Sequence, residues 1–441
     1  MANAFVQFPK GFLWGSATAA HQVEGGNENN NWSAWEKIPG KIKNGATAGL
    51  ACDWYGGRWK EDLDRAAQAG QNTHRFSIEW SRIQPTPDGW DEYAVGFYRE
   101  MLLGMHQRGL MPMVTLHHFT DPIWLSEIGG WQNPQTPELF ARFVTRISTE
   151  LKDLVSHWVT INEPNVYTYN GYLTGEFPPG KKDMVAAIEV MENLARGHAL
   201  AYHAIHANQA TAQVGLALHY RSFHPATSSP FDAWSARNQS KLFNDTFAMA
   251  ATDGKLRLPF KTINISAAVG TQDFIGLNYY TRDQVSFDIT RPGQFFGRNA
   301  YRKDAELSET GFLANEPLGF REALKWSVAF GKPVYITENG FEDATDTLRP
   351  KVLAQHLHQL WHYVNFNASI KGYYYWSLLD NFEWERGWTQ RFGLWGLDEN
   401  TQQRSQRSSA GLYAQICQRN GIATDMLRKY CPEAEPLIFP D

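Results

Sequence analysis

Eight short β-rich runs, each followed by a helix-like stretch, recur along the chain, and this alternation restricts the fold more than any other feature of the sequence. The runs are FLWGSATA (12–19), THRFSIEW (73–80), MPMVTLHH (111–118), WVTINEP (158–164), QVGLALHY (213–220), DFIGLNYY (273–280), PVYITENG (333–340) and GYYYWSLLD (372–380). Between them lie helical patterns such as WKEDLDRAAQAG from Trp59, with Leu63, Ala66 and Ala67 as one face and Gly70 as the stop. TPELFARFVTRISTELKDL begins at Thr136 with a cap and a proline, and further helices are predicted from Met184 and Leu348. At about 100–200 residues per domain, a length of 441 residues would allow two or more domains. Barrels of alternating strand and helix, however, often exceed about 250 residues as one unit. No Pro/Gly/Ser-rich linker or low-complexity tract divides the chain. The pattern therefore predicts an α/β protein: one (β/α)8 TIM barrel over residues 1–441, with its active site at the C-terminal ends of the strands.

The predicted strand ends are polar. They carry Gln22 and Glu24, Arg75 and Glu79, His117 and His118, Asn162 and Glu163, Asn278 and Tyr280, Glu338, and Asp380 with Glu383 just beyond. One such residue could simply begin a solvated loop, but a series of them around a barrel mouth argues for a site. Two strands finish on a glutamate, in WVTINEPN and VYITENG, 338 − 163 = 175 residues apart. A pair of carboxylates facing one cavity is the minimum equipment for glycoside hydrolysis. A gap of ~5–5.5 Å would make the reaction retaining and ~6.5–9.5 Å inverting, and the sequence leaves both open.

Charge and composition exclude other classes. With 41 Lys plus Arg against 46 Asp plus Glu, the net charge is −5 and no broad basic field is available for nucleic acid. The longest apolar runs, such as GYYYWSLL from Gly372, fall short of the ~20 residues of a spanning helix, so no membrane partner is expected. Met1 to Gln7 lacks a signal-peptide pattern, and Cys52, Cys417 and Cys431 have no metal-ligand spacing and cannot all pair. A reducing, cytoplasmic location is expected. His358 and His362, and His203 and His206, have spacings that can hold a divalent ion. The first pair lies off the Leu353, Leu357, Leu360, Val364 stripe, no HExxH accompanies it, and helices sit outside a barrel mouth. Neither metal nor cofactor is expected. The 17 Trp, 18 Tyr and 26 Phe exceed what the core needs, so some should line a pocket.

From about Phe8 to Asp398 the chain resembles glycoside hydrolase family 1, the β-glucosidase-like enzymes. The resemblance rests on FPKGFLWGSATAAHQVEG, HRFSIEWSRI, TLHHF, TINEPN, FIGLNYY, VYITENG and WSLLDNFEW, seven segments in the family's order. It implies a (β/α)8 barrel with retaining chemistry, Glu163 as general acid/base and Glu338 as nucleophile. By the same resemblance Gln22, His118, Asn162, Glu383 and Trp384 bind the hydroxyls of the non-reducing sugar, and Trp376 packs against its face. Physical reasoning adds that Arg75 and Tyr280 should hold the Glu338 carboxyl low, while Glu163, facing a like charge, should stay a proton donor. Asn278 ends its strand in the same mouth. As an acceptor-only carboxylate near the sugar's 4- and 6-hydroxyls, Glu383 would repel a 6-phosphate. The expected partners are small β-glycosides or oligosaccharides, with β-glucosides first and galactosides or fucosides beside them. Transglycosylation is an alternative outcome of the same intermediate, whereas a non-catalytic sugar-binding barrel fits poorly with two intact carboxylates. Phe119, Asn165, Phe312, Glu385 and Trp388 depart from the family's usual residues and leave the leaving-group side unassigned, as the sequence does the oligomeric state.

Overall fold

The computed structural model describes residues 4–258 and 260–440. Eight parallel strands close into a barrel: β1 (Leu13–Ala17), β2 (Thr73–Ser77), β3 (Met111–Thr115), β4 (His157–Asn162), β5 (Gln213–Pro225), β6 (Phe274–Phe287), β7 (Val334–Asn339) and β8 (Ile370–Trp376). Each pairs with the next, and β8 pairs with β1 to complete the ring. The predicted runs fall on these strands in order.

The helices α1 (Trp59–Gln68), α2 (Glu92–Gln107), α3 (Thr136–Leu151), α4 (Met184–Asn208), α5 (Thr246–Asp253), α6 (Pro317–Val328), α7 (Arg349–Asn365) and α8 (Ser408–Arg419) follow the strands. In α3, Phe140, Phe143, Val144, Ile147 and Leu151 recur at helical spacing and are fully buried. The expected threonine cap is not formed. Thr136 already lies inside the first turn and donates its hydroxyl to the Gly130 carbonyl, so Pro137 alone pre-sets the helix start.

Inside the barrel, Thr73, His157, Phe274, Tyr335 and Tyr374 plug the base. Thr73 Oγ1 meets the Tyr374 hydroxyl at 2.9 Å, His157 Nε2 meets Tyr335 at 3.1 Å, and the Phe274 ring lies 5.1 Å from that of Tyr335. Beneath the strands' starting ends, Phe5–Gln7 pairs antiparallel with Gly421–Ala423. Phe8, Phe12 and Trp14 pack there in tilted and edge-to-face contacts, with ring centroids 4.8–5.1 Å apart.

Two strands break the barrel's proportions. The other six have 5 to 7 residues, but β5 has 13 and β6 has 14. They stay paired beyond the rim, from Ser222 opposite Arg282 to Pro225 opposite Val285, and Gly297–Ala300 adds antiparallel to β6. A sheet wall therefore stands on one side of the mouth. Where it begins, β6 inserts an extra residue between Tyr279 and Arg282 relative to β5, the kind of bulge that re-aims a side chain. Tyr280 lies at this bulge.

Candidate active site

Glu163 and Glu338 open onto one cavity of about 530 Å³ at the C-terminal ends of the strands. Glu163 follows the last residue of β4 in a left-handed conformation, φ 44° and ψ 57°, before Pro164 starts a short helix. That backbone costs a non-glycine residue about 1–3 kcal/mol, and strain of this kind collects at functional sites. Glu338 lies in β7 just after a register slip against β6. Gly340 follows because the chain there hugs the neighbouring strand: an added Cβ would lie 1.9 Å from the Trp376 carbonyl oxygen. Asn339 is a buried strut. It donates to the Tyr279 carbonyl at 2.7 Å and accepts from the Tyr373 hydroxyl at 2.8 Å.

A continuous chain of hydrogen bonds links the two carboxylates. Arg75 Nη1 donates to Glu338 Oε1 at 2.6 Å, and Tyr280 donates to Oε2 at 2.7 Å. Arg75 Nη2 donates to Asn162 Oδ1 at 2.7 Å, and Asn278 Nδ2 reaches both Asn162 Oδ1 (3.2 Å) and Glu163 Oε1 (2.7 Å). Thr337 donates to Asn278 Oδ1, which fixes that amide's orientation. Glu163 Oε2 has no hydrogen-bond partner among the described residues, so one oxygen is left for a ligand.

The same bookkeeping identifies what the cavity floor lacks. Because Arg75 fixes Asn162 Oδ1, Asn162 Nδ2 faces His118 Nε2 at 3.1 Å, and that nitrogen must accept. Burial, with the nearby charges of Arg75 and His117, keeps the His118 imidazole from protonating, so its proton sits on Nδ1, which is buried without a partner. Gln22 Nε2 donates to the Phe382 carbonyl at 2.7 Å and to Asn381 Oδ1 at 3.0 Å, leaving Oε1 buried and unpartnered. A buried donor and a buried acceptor thus await a polar ligand, since unpaired groups of this kind are costly. Trp376, His118 and Trp384 form a stacked slab at 5.9 Å spacings, which His21 extends behind Trp384.

Two electrostatic expectations are corrected. Burial pushes Glu338 up; Arg75 pulls against it, the like charge of Glu163 adds to it, and Tyr280 opposes it, leaving the carboxyl near about 7. Arg75 and Tyr280 are placed as expected but do not outweigh the desolvation of the buried carboxyl. Glu383 rises further, to about 8, through burial and the charges of Glu385, Glu338 and Glu163, with only Gln22 opposing. At neutral pH it is therefore not the simple acceptor that the sequence suggests.

Other strand-end residues turn away from the cavity. Glu24 is held by Arg82 Nε at 2.7 Å and the Tyr98 hydroxyl at 2.6 Å, while Glu79 accepts from Thr120 and Asn27. His117 contacts Asp121 at 2.9 Å. Asp380 receives Arg407 through two 2.7 Å bonds, and Asn381 supports Gln22. Of the departures from the family pattern, Phe119, Phe312 and Glu385 line the cavity, and the Arg386 guanidinium lies 4.9 Å from the Phe312 ring centroid. Trp388 instead donates its indole N–H to the Thr47 carbonyl. His206 pairs with Asp273 at 2.8 Å, and the rings of His358 and His362 meet on α7 in a tilted contact, 4.5 Å between centroids.

Sequence reasoning missed His219. Its Nδ1 lies 3.1 Å from Glu163 Oε1, and it lines the cavity with Arg221 and Phe223, alternate residues of the extended β5. The alternation was visible, but it lies where the strand was expected to stop.

The profile of glycosyl hydrolase family 1 matches residues 5–422. A 1,4-beta-D-glucan glucohydrolase of Thermotoga neapolitana is 33% identical over 94% of this chain and 99% of its own. The beta-glycosidase from Pyrococcus horikoshii superposes with a TM-score of 0.90 at 34% identity, covering 97% of this chain and 98% of that one. The beta-glucosidase from Thermotoga maritima in complex with glucoimidazole gives 0.87 at 31% identity, over 94% and 100%.

Proposed function

The chain belongs to glycosyl hydrolase family 1 and is a retaining β-glycosidase, and on that premise we propose that it removes terminal β-D-glucosyl residues, with Glu338 as nucleophile and Glu163 as acid/base. Galactosides and fucosides are secondary substrates in this reading. Glu338 attacks the anomeric carbon while Glu163 passes a proton from Oε2 to the departing glycosidic oxygen, which leaves a glycosyl ester on Glu338. Glu163 then takes a proton from water as the water opens that ester, and the sugar leaves with its β configuration. Arg75 and Tyr280 hold both oxygens of Glu338 and so orient it for attack.

The single observation that carries this reading is the unbroken link from Glu338 through Arg75, Asn162 and Asn278 to Glu163 across one cavity. The unpartnered His118 Nδ1 and Gln22 Oε1 at the floor suit neighbouring hydroxyls of a terminal sugar, and the flat slab of Trp376 and Trp384 suits its apolar face. Glucoimidazole in the Thermotoga maritima relative fits the same preference.

Proton NMR during hydrolysis of 4-nitrophenyl β-D-glucoside tests the proposal. The β-anomer of glucose should appear first and mutarotate later. Initial α-glucose, or no cleavage while glucose binds, would overturn it.

A further inference from the structure

His219 and Asn165 form a unit that the reaction just described does not account for. The His219 Nδ1 contact to Glu163 Oε1 falls on the oxygen that also receives Asn278, so both protein donors converge there and Oε2 stays free. The imidazole is held on three sides. Its ring lies 5.6 Å from that of Tyr280 and 5.6 Å from that of Phe243, and its backbone carbonyl accepts Asn165 Nδ2 at 2.7 Å. Asn165 donates a second time, to the Phe243 carbonyl at 2.9 Å. It therefore ties β5 and the Lys241–Asp245 segment to the short helix that begins immediately after Glu163. His219 Nε2 is buried with no partner among the described residues, so the ring makes one hydrogen bond there, the one to Glu163.

We propose that His219, pinned by Asn165, is a positioning residue for Glu163: it anchors Oε1 and thereby assigns Oε2 as the oxygen that exchanges the proton with the leaving group. The assignment rests on Glu163 being the acid/base. With Asn278 as its one remaining anchor, the Glu163 carboxyl can still swing about that single hydrogen bond, and proton delivery needs hydrogen-bond reach to the departing oxygen. The effect falls on the proton-transfer step, so it should scale with how much the leaving group needs a proton.

The test compares His219→Leu, His219→Asn and Asn165→Ala on two substrates, cellobiose and 2,4-dinitrophenyl β-D-glucoside, whose leaving group departs unaided. His219→Leu should lose about tenfold or more in kcat/KM on cellobiose and change little on the dinitrophenyl substrate. His219→Asn places an amide N–H where Nδ1 stood and should recover most of the loss. Asn165→Ala should show the same split in weaker form, and it keeps the question open to test if His219→Leu does not fold. Equal losses on both substrates, no loss on either, or an Asn variant as impaired as Leu would overturn the proposal. A parallel Glu163→Ala control separates the two readings: if it too fails to discriminate between the substrates, the acid/base assignment is what falls.

Discussion

Glu383 shows what a binding site costs the fold that holds it. Its carboxyl is raised to about 8 by burial and by three like-charged neighbours, against an ordinary value of about 4.3 in the unfolded chain. A folded-state value above the unfolded one means that the native state holds the proton more tightly. The associated stability is complete below the unfolded value and is lost as pH rises through the folded one. Ligand-free enzyme should therefore lose stability between about pH 5 and pH 8, with Glu338, near about 7, adding in the same sense. Glu383→Gln removes the first contribution. Its advantage over the wild type should grow from a small value at pH 4.5 to on the order of 4 kcal/mol at pH 9, at the expense of turnover. Chemical denaturation at both pH values checks this, and an advantage independent of pH would contradict the assigned cause. Both acids were legible in the sequence, Glu338 because it finishes a strand and Glu383 through the WSLLDNFEW segment just beyond one, but their protonation was not. Burial depth and the number of neighbouring carboxylates are properties of the closed ring.

The elements that present the site are held from behind. The loop after β8 carries Glu383 and Trp384, and Asp380 ties it to Arg407, one residue ahead of α8, while also accepting the Gly393 N–H at 2.9 Å. Asp380→Ala strands a mostly buried guanidinium and should cost about 3 kcal/mol. On the proposed sugar-binding role of Glu383 and Trp384, KM should rise severalfold with a smaller change in kcat. Steady-state kinetics, read beside urea unfolding, separates the two effects. At this scale the sequence was a good guide to strands and a poor one to the loops that leave them. Short β-rich runs bounded by turn residues marked all eight barrel strands, and α1, α3, α4 and α7 began close to where the helical spacing of apolar residues set in. Nothing in a one-dimensional pattern distinguished Glu24 and Glu79, which turn into a buried polar network, from Glu163, which lines the cavity, and Gln22, which sits against the lining residue Glu383. The extension of β5 escaped notice because charged and aromatic residues alternate there, a wall with one face toward a ligand rather than a core.

Across the whole molecule, chemistry and cohesion occupy opposite ends of the barrel. The floor is sealed by the Phe5–Gln7 and Gly421–Ala423 pair and by Phe8, Phe12 and Trp14, with Phe8 donating its backbone N–H to the Asn420 carbonyl. Phe8 is 2% exposed, and Phe8→Ala should cost about 3–5 kcal/mol through lost burial and the cavity left behind. The enzyme that remains folded at 25 °C should keep its kcat/KM, because the substituted side chain lies a barrel's length from Glu163. Activity falling in proportion to stability under fully folding conditions would mean that the two ends are coupled. The separation also has a practical side. A protein fused ahead of Phe5, or a bead coupled there, would hang from the underside of the molecule with the entrance facing the liquid, so a row of tethered copies could work without shadowing one another.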